Sequence, residues 1–108
     1  MPSTTISRGN ILYSFACGPT LTPVSVAGAL SAEQNFTIPG LQAGDFVDIY
    51  AQIAQTAGIG IVNTRVSAPG VLTVGFSNST AGALVPAAGA YTVIIRRPES
   101  LPLPVSAI

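Results

Sequence analysis

The sequence predicts an all-β protein, an antiparallel β-sandwich or jelly roll of seven to eight strands with an extended C-terminal arm. Short runs of alternating apolar and polar residues recur along the chain, and turn residues separate them at intervals of roughly 8–15 residues. β-branched and aromatic residues are concentrated in those runs. The one helix-like start, a capping box at residues 31–34, precedes no long helical pattern, so at most one helical turn is predicted there.

Residues 58–77 predict the central hairpin, because two β-branched runs flank Pro69 and Gly70. The predicted connection is the three-residue loop 68–70 with Gly70 in the left-handed conformation, and a five-residue loop is the alternative. The predicted inward-facing pairs are Val62–Phe76, Thr64–Val74 and Val66–Leu72.

The first half of the chain contributes three short strands to this prediction. Residues 4–16 alternate as a strand, and residues 21–30 form a second one near an edge, because Pro23 cannot donate to a ladder. Residues 35–38 form a third, with Phe36 and Ile38 facing inward. The residues that alternate on one side of the first strand are Ile11, Tyr13 and Phe15.

The second half supplies the remaining strands. Residues 46–54 alternate cleanly and place Asp48 and Gln52 on the solvent side. A short edge strand is predicted at residues 83–85 within a long Ala/Gly loop. Residues 91–97 are apolar on nearly all of both faces, which is typical of a central strand.

Two regions are predicted, a β-sandwich domain at residues 1–97 and a Pro-rich arm at residues 98–108. The arm cannot fold by itself. Its apolar residues are also unusual for a disordered end that stays in solvent. We expect it to lie over a neighbouring molecule, and the alternative is an arm folded back on its own domain. Its apolar residues are Leu101, Leu103, Val105 and Ile108.

Composition predicts a chain that needs partners. At 108 residues it forms one domain, and charged residues make up only 7%, compared with about 25% in ordinary soluble domains. Hydrophobic residues make up 48%, so we expect apolar surface to be covered by other subunits, with a monomer coated by Thr, Ser, Gln and Asn as the alternative. The zero net charge argues against binding to nucleic acid or to an anionic membrane.

The side chains that catalysis needs are scarce. The chain has no His and no Lys, so Cys17 is expected to be a small half-buried thiol. Asp45 and Asp48 should point to opposite faces, which argues against a paired-carboxylate or calcium site. We therefore predict that the protein is not an enzyme and uses no cofactor or metal. The lone cysteine and the absence of a signal-peptide pattern predict assembly inside a cell.

A recognisable pattern runs through residues 36–97. Its residues are Gly40-Leu41, Gly44-Asp45, Val47, the run from Gly58 to Ser67, Leu72-Thr73-Val74, Phe76, Asn78, Thr80, the run from Pro86 to Gly89, Tyr91 and Val93. This pattern resembles the small virion proteins of tailed bacteriophages, of the head-decoration or cement type. The resemblance implies a β-sandwich on the capsid exterior, assembled in the host cytoplasm, that binds and stabilises the shell of major capsid protein. It implies no substrate and no cofactor.

The expected partners are the major capsid protein and copies of the chain itself, as a trimer or dimer. Arg96 and Arg97 end the last strand beside Glu99 and form either a local charge cluster or a contact for an acidic partner surface. The candidate partner contacts are Arg96, Arg97, Leu101, Leu103, Val105 and Ile108.

Two alternative functions stay open. One is a structural role in the tail, neck or fibre of the virion, although the chain has no internal repeat of the kind that fibres usually show. The other is a carbohydrate-binding or adhesion module, for which the chain offers no Trp and only Tyr13, Tyr50 and Tyr91 as stacking residues.

Overall fold

The computed structural model of the chain describes residues 9–106, which form seven β-strands and no helix. The strands make two antiparallel sheets around one core, so the predicted all-β sandwich class is confirmed. The strands are β1 (Ile11–Cys17), β2 (Thr20–Leu21), β3 (Ser31–Thr37), β4 (Phe46–Ala51), β5 (Ile59–Ala68), β6 (Val71–Asn78) and β7 (Gly89–Pro98).

The first sheet is built around β7, which confirms the central position predicted for residues 91–97. β1 pairs with one edge of β7, and β4 pairs with the other. β2 continues the line of β1 after the Gly18-Pro19 turn, because Thr20 pairs with Ala90 in the register that already pairs Cys17 with Val93. β1 and β4 are therefore the two edges of this sheet.

The second sheet has the order β3–β6–β5 and contains the predicted hairpin. Two of the predicted pairs, Thr64–Val74 and Val66–Leu72, are confirmed. The third is wrong, because Phe76 pairs with Ile61. A β-bulge at Val62 inserts one extra residue into β5, and the Val62 side chain turns outward and is 60% exposed.

The hairpin connection is shorter than predicted. Ala68 pairs with Val71, so only Pro69 and Gly70 link the strands, and a second bulge at Ser67 absorbs the residue that would have lengthened the loop. Gly70 has φ +76°, which confirms its left-handed conformation. Pro followed by a left-handed Gly is typical of the centre of a type II turn.

The helical turn expected at residues 31–34 is wrong, because Ser31 begins strand β3. All seven residues of β3 pair with β6, from Ser31 opposite Ser77 to Thr37 opposite Val71. This ladder satisfies the backbone groups that a single helical turn would leave largely unpaired. Tertiary pairing therefore overrides the local capping pattern.

The strand predicted at residues 21–30 is shortened to β2 and one isolated bridge between Val26 and Leu84. The side chain of Gln34 occupies both backbone groups of Val24, accepting from its N–H at 2.8 Å and donating to its carbonyl at 2.7 Å. The edge strand predicted at residues 83–85 is likewise reduced to the bridge residue Leu84.

The core lies between the inner faces of β6 and β7. β6 contributes Leu72, Val74 and Phe76, each 0% exposed, which confirms the inward face predicted for this strand. Ile38 is buried and Phe36 packs against the core, also as predicted. The contribution of β7 is Tyr91, Val93 and Ile95.

Candidate partner-binding surface

Arg97 lies at the end of β7 and binds a carboxylate of its own chain. Its Nε donates to Asp45 Oδ1 and its Nη2 donates to Asp45 Oδ2, both at 2.9 Å. Nη2 also donates to the carbonyl of Gly40 at 3.0 Å, and the guanidinium lies 5.6 Å from the centre of the Phe15 ring. This two-bond geometry is the strongest form of an arginine–carboxylate contact.

The turn at residues 40–45 holds Asp45 in place for this contact. The amide of Gln42 donates to Asp45 Oδ2 at 2.9 Å, and Gly44, at φ +89°, turns the chain immediately before Asp45. The Asp45 side chain is only 1% exposed. The hydrogen bonds from Arg97 lower the pKa of Asp45 below its ordinary value, the Gln42 amide lowers it further, and burial opposes both.

The structure thus places Arg97 in an ion pair within the chain, with 18% of its side chain exposed. The sequence left open whether this arginine joins a local charge cluster or contacts an acidic partner surface. The structure places it in a charge cluster, and the carboxylate comes from Asp45, 52 positions earlier in the chain. The guanidinium group of Arg97 ties β7 to the turn at residues 40–45, so most of its hydrogen-bond donors are used inside the molecule.

Arg96 projects from the outer face of the same sheet. Its Nη1 donates to Asp48 Oδ2 at 3.2 Å, and the two side chains are 46% and 56% exposed. Exposed pairs of this kind contribute little to stability, so a partner carboxylate can compete for Arg96 at small cost. Arg96 is therefore a more accessible candidate contact than Arg97.

Residues 99–106 form no helix or strand, and β7 ends at Pro98, one residue beyond the boundary predicted for the sandwich. Leu101 and Leu103 are 56% and 39% exposed, and Val105 is fully exposed. Leu101 packs over Gly44, so this part of the segment lies against its own domain, as the alternative interpretation held. Ile108 lies outside the described residues.

Strand β1 presents an apolar surface whose exposure the sequence did not predict. Phe15 pairs with Ile95 and therefore shares the inner face of the sheet, yet it stays 42% exposed. The second sheet leaves this edge partly uncovered. The sequence does carry one sign of this surface, because β1 has no charged residue on either of its two faces. The exposed large side chains of β1 are Ile11, Leu12, Tyr13 and Phe15.

β1 and the segment after β7 share one groove. Leu12 and Tyr13 line it from β1, Gln42 and Ala43 from the turn, and Leu101 from the tail. The groove also has a polar side, because the Arg97–Asp45 pair closes one of its walls and Glu99 lines it as well. This end of the molecule therefore combines apolar side chains from two separate parts of the chain.

The described residues hold little that could perform chemistry. No group of three or more His, Cys, Asp and Glu side chains in residues 9–106 could hold a metal ion. Cys17 is partly buried against the core, as expected for a small half-buried thiol. Asp45 lies in a turn and Asp48 on the exposed outer face, so they do not form a carboxylate pair.

The three tyrosines do not form a common stacking surface. Tyr91 is 0% exposed, and its hydroxyl donates to the carbonyl of Ala87 at 2.6 Å. Tyr13 shares the inner face of the first sheet, whereas Tyr50 pairs with Thr92 on the outer face. Each exposed tyrosine therefore stands alone as a platform for a sugar.

In the part of the chain that the structure describes, no helix is long and apolar enough to cross a membrane. Comparisons of the chain with protein-family models, with curated proteins and with solved structures return no significant match.

Proposed function

We propose that the protein is a structural virion protein, a decoration or cement subunit that binds the assembled capsid shell of a tailed bacteriophage and stabilises it. The observation that carries the proposal is the exposed apolar segment after β7, where Leu101, Leu103 and Val105 reach solvent. Exposed apolar side chains grouped in this way are typical of surfaces that bind another protein. The resemblance described above and the sparse charge of the chain support the same function.

The fold supports this role by giving the segment a fixed starting point. β7 is the central strand of its sheet, and Arg97 ties its end to the turn at residues 40–45. Leu101 packs over Gly44 of that turn, so the tail leaves the domain from a defined place. The residues beyond it can then pack on a neighbouring capsid subunit while the sandwich stays rigid.

Stabilisation follows from interface area. A subunit that bridges two capsid proteins adds contacts that must break before the shell comes apart, and a stable contact needs on the order of 1,000 Å² of buried surface. Exposed apolar residues supply that area without the desolvation cost of charged groups. Arg96 adds an accessible cation that can pair with a capsid carboxylate.

The experiment is a binding assay on phage heads prepared without the protein, with sedimentation of the heads and quantification of the bound chain. The test variant is the full chain with Leu103→Ser and Val105→Ser. The matched control is Leu30→Ser with Val85→Ser, because it makes the same two substitutions at exposed residues, 60% and 51%, that lie outside the C-terminal segment.

We expect the wild-type chain and the control to bind heads and the test variant to bind at least about tenfold more weakly. Equal binding by the test variant and the control contradicts a role for the segment. Failure of the wild-type chain to bind heads contradicts the capsid proposal, and labelling of tails in electron micrographs would then favour a tail or neck location. Clear hits on a glycan array would favour the adhesion function.

A further inference from the structure

Strand β1 has one free edge. It pairs with β7 along its length, from Ile11 opposite Pro98 to Cys17 opposite Val93, and no other strand of residues 9–106 pairs with it. Its outer backbone N–H and carbonyl groups are therefore available as a template for another strand. The strand is seven residues long and contains no proline.

The three other edge strands are protected, and β1 is not. β3 carries Glu33, β4 carries Asp48 and β5 carries Arg65, and β5 is further interrupted by its bulge at Val62. Charged residues and bulges are the usual means by which proteins prevent edge-to-edge pairing. β1 has no charged residue at any position, and its one irregularity lies near its start, between Ile11 and Tyr13.

We propose that β1 pairs with β1 of a second copy of this chain, antiparallel and across a two-fold axis at Ser14, so that two first sheets join into one continuous sheet. This inference goes beyond the proposed function, because pairing of two copies in solution needs no capsid. Ser14 is the middle residue of β1, and an axis there places each of the seven residues opposite a partner residue, with the bulge at Leu12 near the two ends of the pairing. The resulting pairs are Ile11–Cys17, Leu12–Ala16, Tyr13–Phe15 and Ser14–Ser14.

The chemistry of β1 favours a second copy over a charged or basic partner. An uncharged strand can pair with itself without placing like charges opposite each other, and the chain as a whole has zero net charge. The two-fold register places Tyr13 opposite Phe15 twice, and aromatic cross-strand pairs are among the more favourable ones in sheets. Tyr13 and Phe15 are 53% and 42% exposed in the single chain and would be partly covered.

The available area predicts a dimer that dissociates on dilution. Tyr13 and Phe15 are aromatic and bury about 150–250 Å² each when fully covered, and the smaller Ile11 and Leu12 bury less. Because all four are about half-exposed, they offer at most about 400 Å² per copy. A pair of copies then buries at most about 800 Å² of side-chain surface, to which the backbone edge adds, and this lies at the small end of specific interfaces. Contacts of this size are typically weak and transient, so we expect the dimer to dissociate on dilution.

The first experiment measures the mass of the full chain by sedimentation between about 1 μM and 1 mM. We expect the wild-type chain to pass from monomer to dimer in this range. Ser14→Lys places two ammonium groups at the axis and should weaken the dimer at least about tenfold, because like charges opposite each other repel. Asn63→Lys adds the same charge to the edge of β5 and should leave the dimer unchanged, because Asn63 is exposed on a different edge.

A mixing experiment identifies the partner strand as β1 itself. Ser14→Lys mixed with Ser14→Glu should form a heterodimer more readily than Ser14→Lys alone, since the axis then holds opposite charges. Ser14→Cys in a Cys17→Ser background should form a disulfide-linked dimer under oxidation, because directly opposed Cα atoms lie about 4.5–5.5 Å apart in antiparallel strands. Asn63→Cys in the same background should not cross-link.

Several outcomes would overturn the inference. These are a wild-type monomer at all concentrations, a stable trimer, a dimer that Ser14→Lys does not weaken, and a Ser14→Cys chain that fails to cross-link. Circular dichroism of each variant checks its fold, and Ser14 is exposed, so the substitutions should leave the monomer intact. The cross-linking experiment does not depend on the charge variants. It therefore tests the pairing of β1 with β1 even if Ser14→Lys folds poorly.

Discussion

The buried carboxylate of Asp45 offers the sharpest test of how the end of β7 is held. Asp45→Ala removes three hydrogen bonds of 2.9 Å, two from Arg97 and one from the Gln42 amide. Net contributions of hydrogen bonds to a charged group are about 1.5–3 kcal/mol each, but Arg97 keeps its bond to the Gly40 carbonyl and gains access to water. We therefore expect a loss of about 3 kcal/mol in the free energy of unfolding.

The assay is thermal and urea unfolding of Asp45→Ala beside Asp48→Ala as a matched control. Asp48 also pairs with an arginine of β7, but that pair is exposed on both sides, so its loss should cost under about 1 kcal/mol. For a domain of this size, about 3 kcal/mol corresponds to a fall in Tm of roughly 12–24 °C. Equal losses in the two variants would refute the reasoning, because they would show that burial of the Asp45–Arg97 pair does not matter.

The pH dependence of the stability difference between the wild-type chain and Asp45→Ala gives a second check on the Asp45–Arg97 ion pair. Arg97 lowers the folded-state pKa of Asp45, so the stability that this carboxylate contributes is fully present above the unfolded-state value of about 3.9. It is lost as the pH falls through the lower folded-state pKa. The stability gap between the wild-type chain and Asp45→Ala should thus be constant from neutral pH to about pH 5 and shrink below about pH 4. A gap that widens on acidification contradicts this assignment.

Three further predictions concern glycines in turns and loops and the last residue of β6, each measured by urea unfolding. Gly44→Ala and Gly40→Ala should each cost about 1–2 kcal/mol, because both glycines have positive φ, and the exposed end of Leu101 near Gly44 is free to move away from the new methyl; no measurable loss at either position would contradict this. Gly28→Ala should cost over about 2 kcal/mol, because its methyl would overlap the backbone of the facing loop, and no measurable loss would contradict this close approach. Asn78→Ala should cost about 2–4 kcal/mol, since this buried amide makes four hydrogen bonds; a loss below about 1 kcal/mol would contradict that network.

The sequence by itself determined the buried faces of β4 and β6, the central position of β7 and the turn between β5 and β6. Alternation predicted the inward sides of β6 and β4, and two-sided apolarity predicted that β7 is central. Gly70 was predicted to be left-handed because only such a residue suits the turn, and the structure has it at φ +76°. These features are local, since side-chain direction and backbone sterics depend on a few neighbouring residues.

Only the tertiary structure decided the features that depend on distant partners. Ser31 begins a strand because β6 lies beside it, and the bulge at Val62 is defined only by the pairing of β5 with β6. Arg97 is held in an ion pair because the fold brings the buried Asp45 to it. The apolar side of β1 was visible in the sequence, but its exposure was not, because exposure depends on how far the second sheet extends. Burial and pairing are properties of the assembled sheets, so no local pattern can encode them completely.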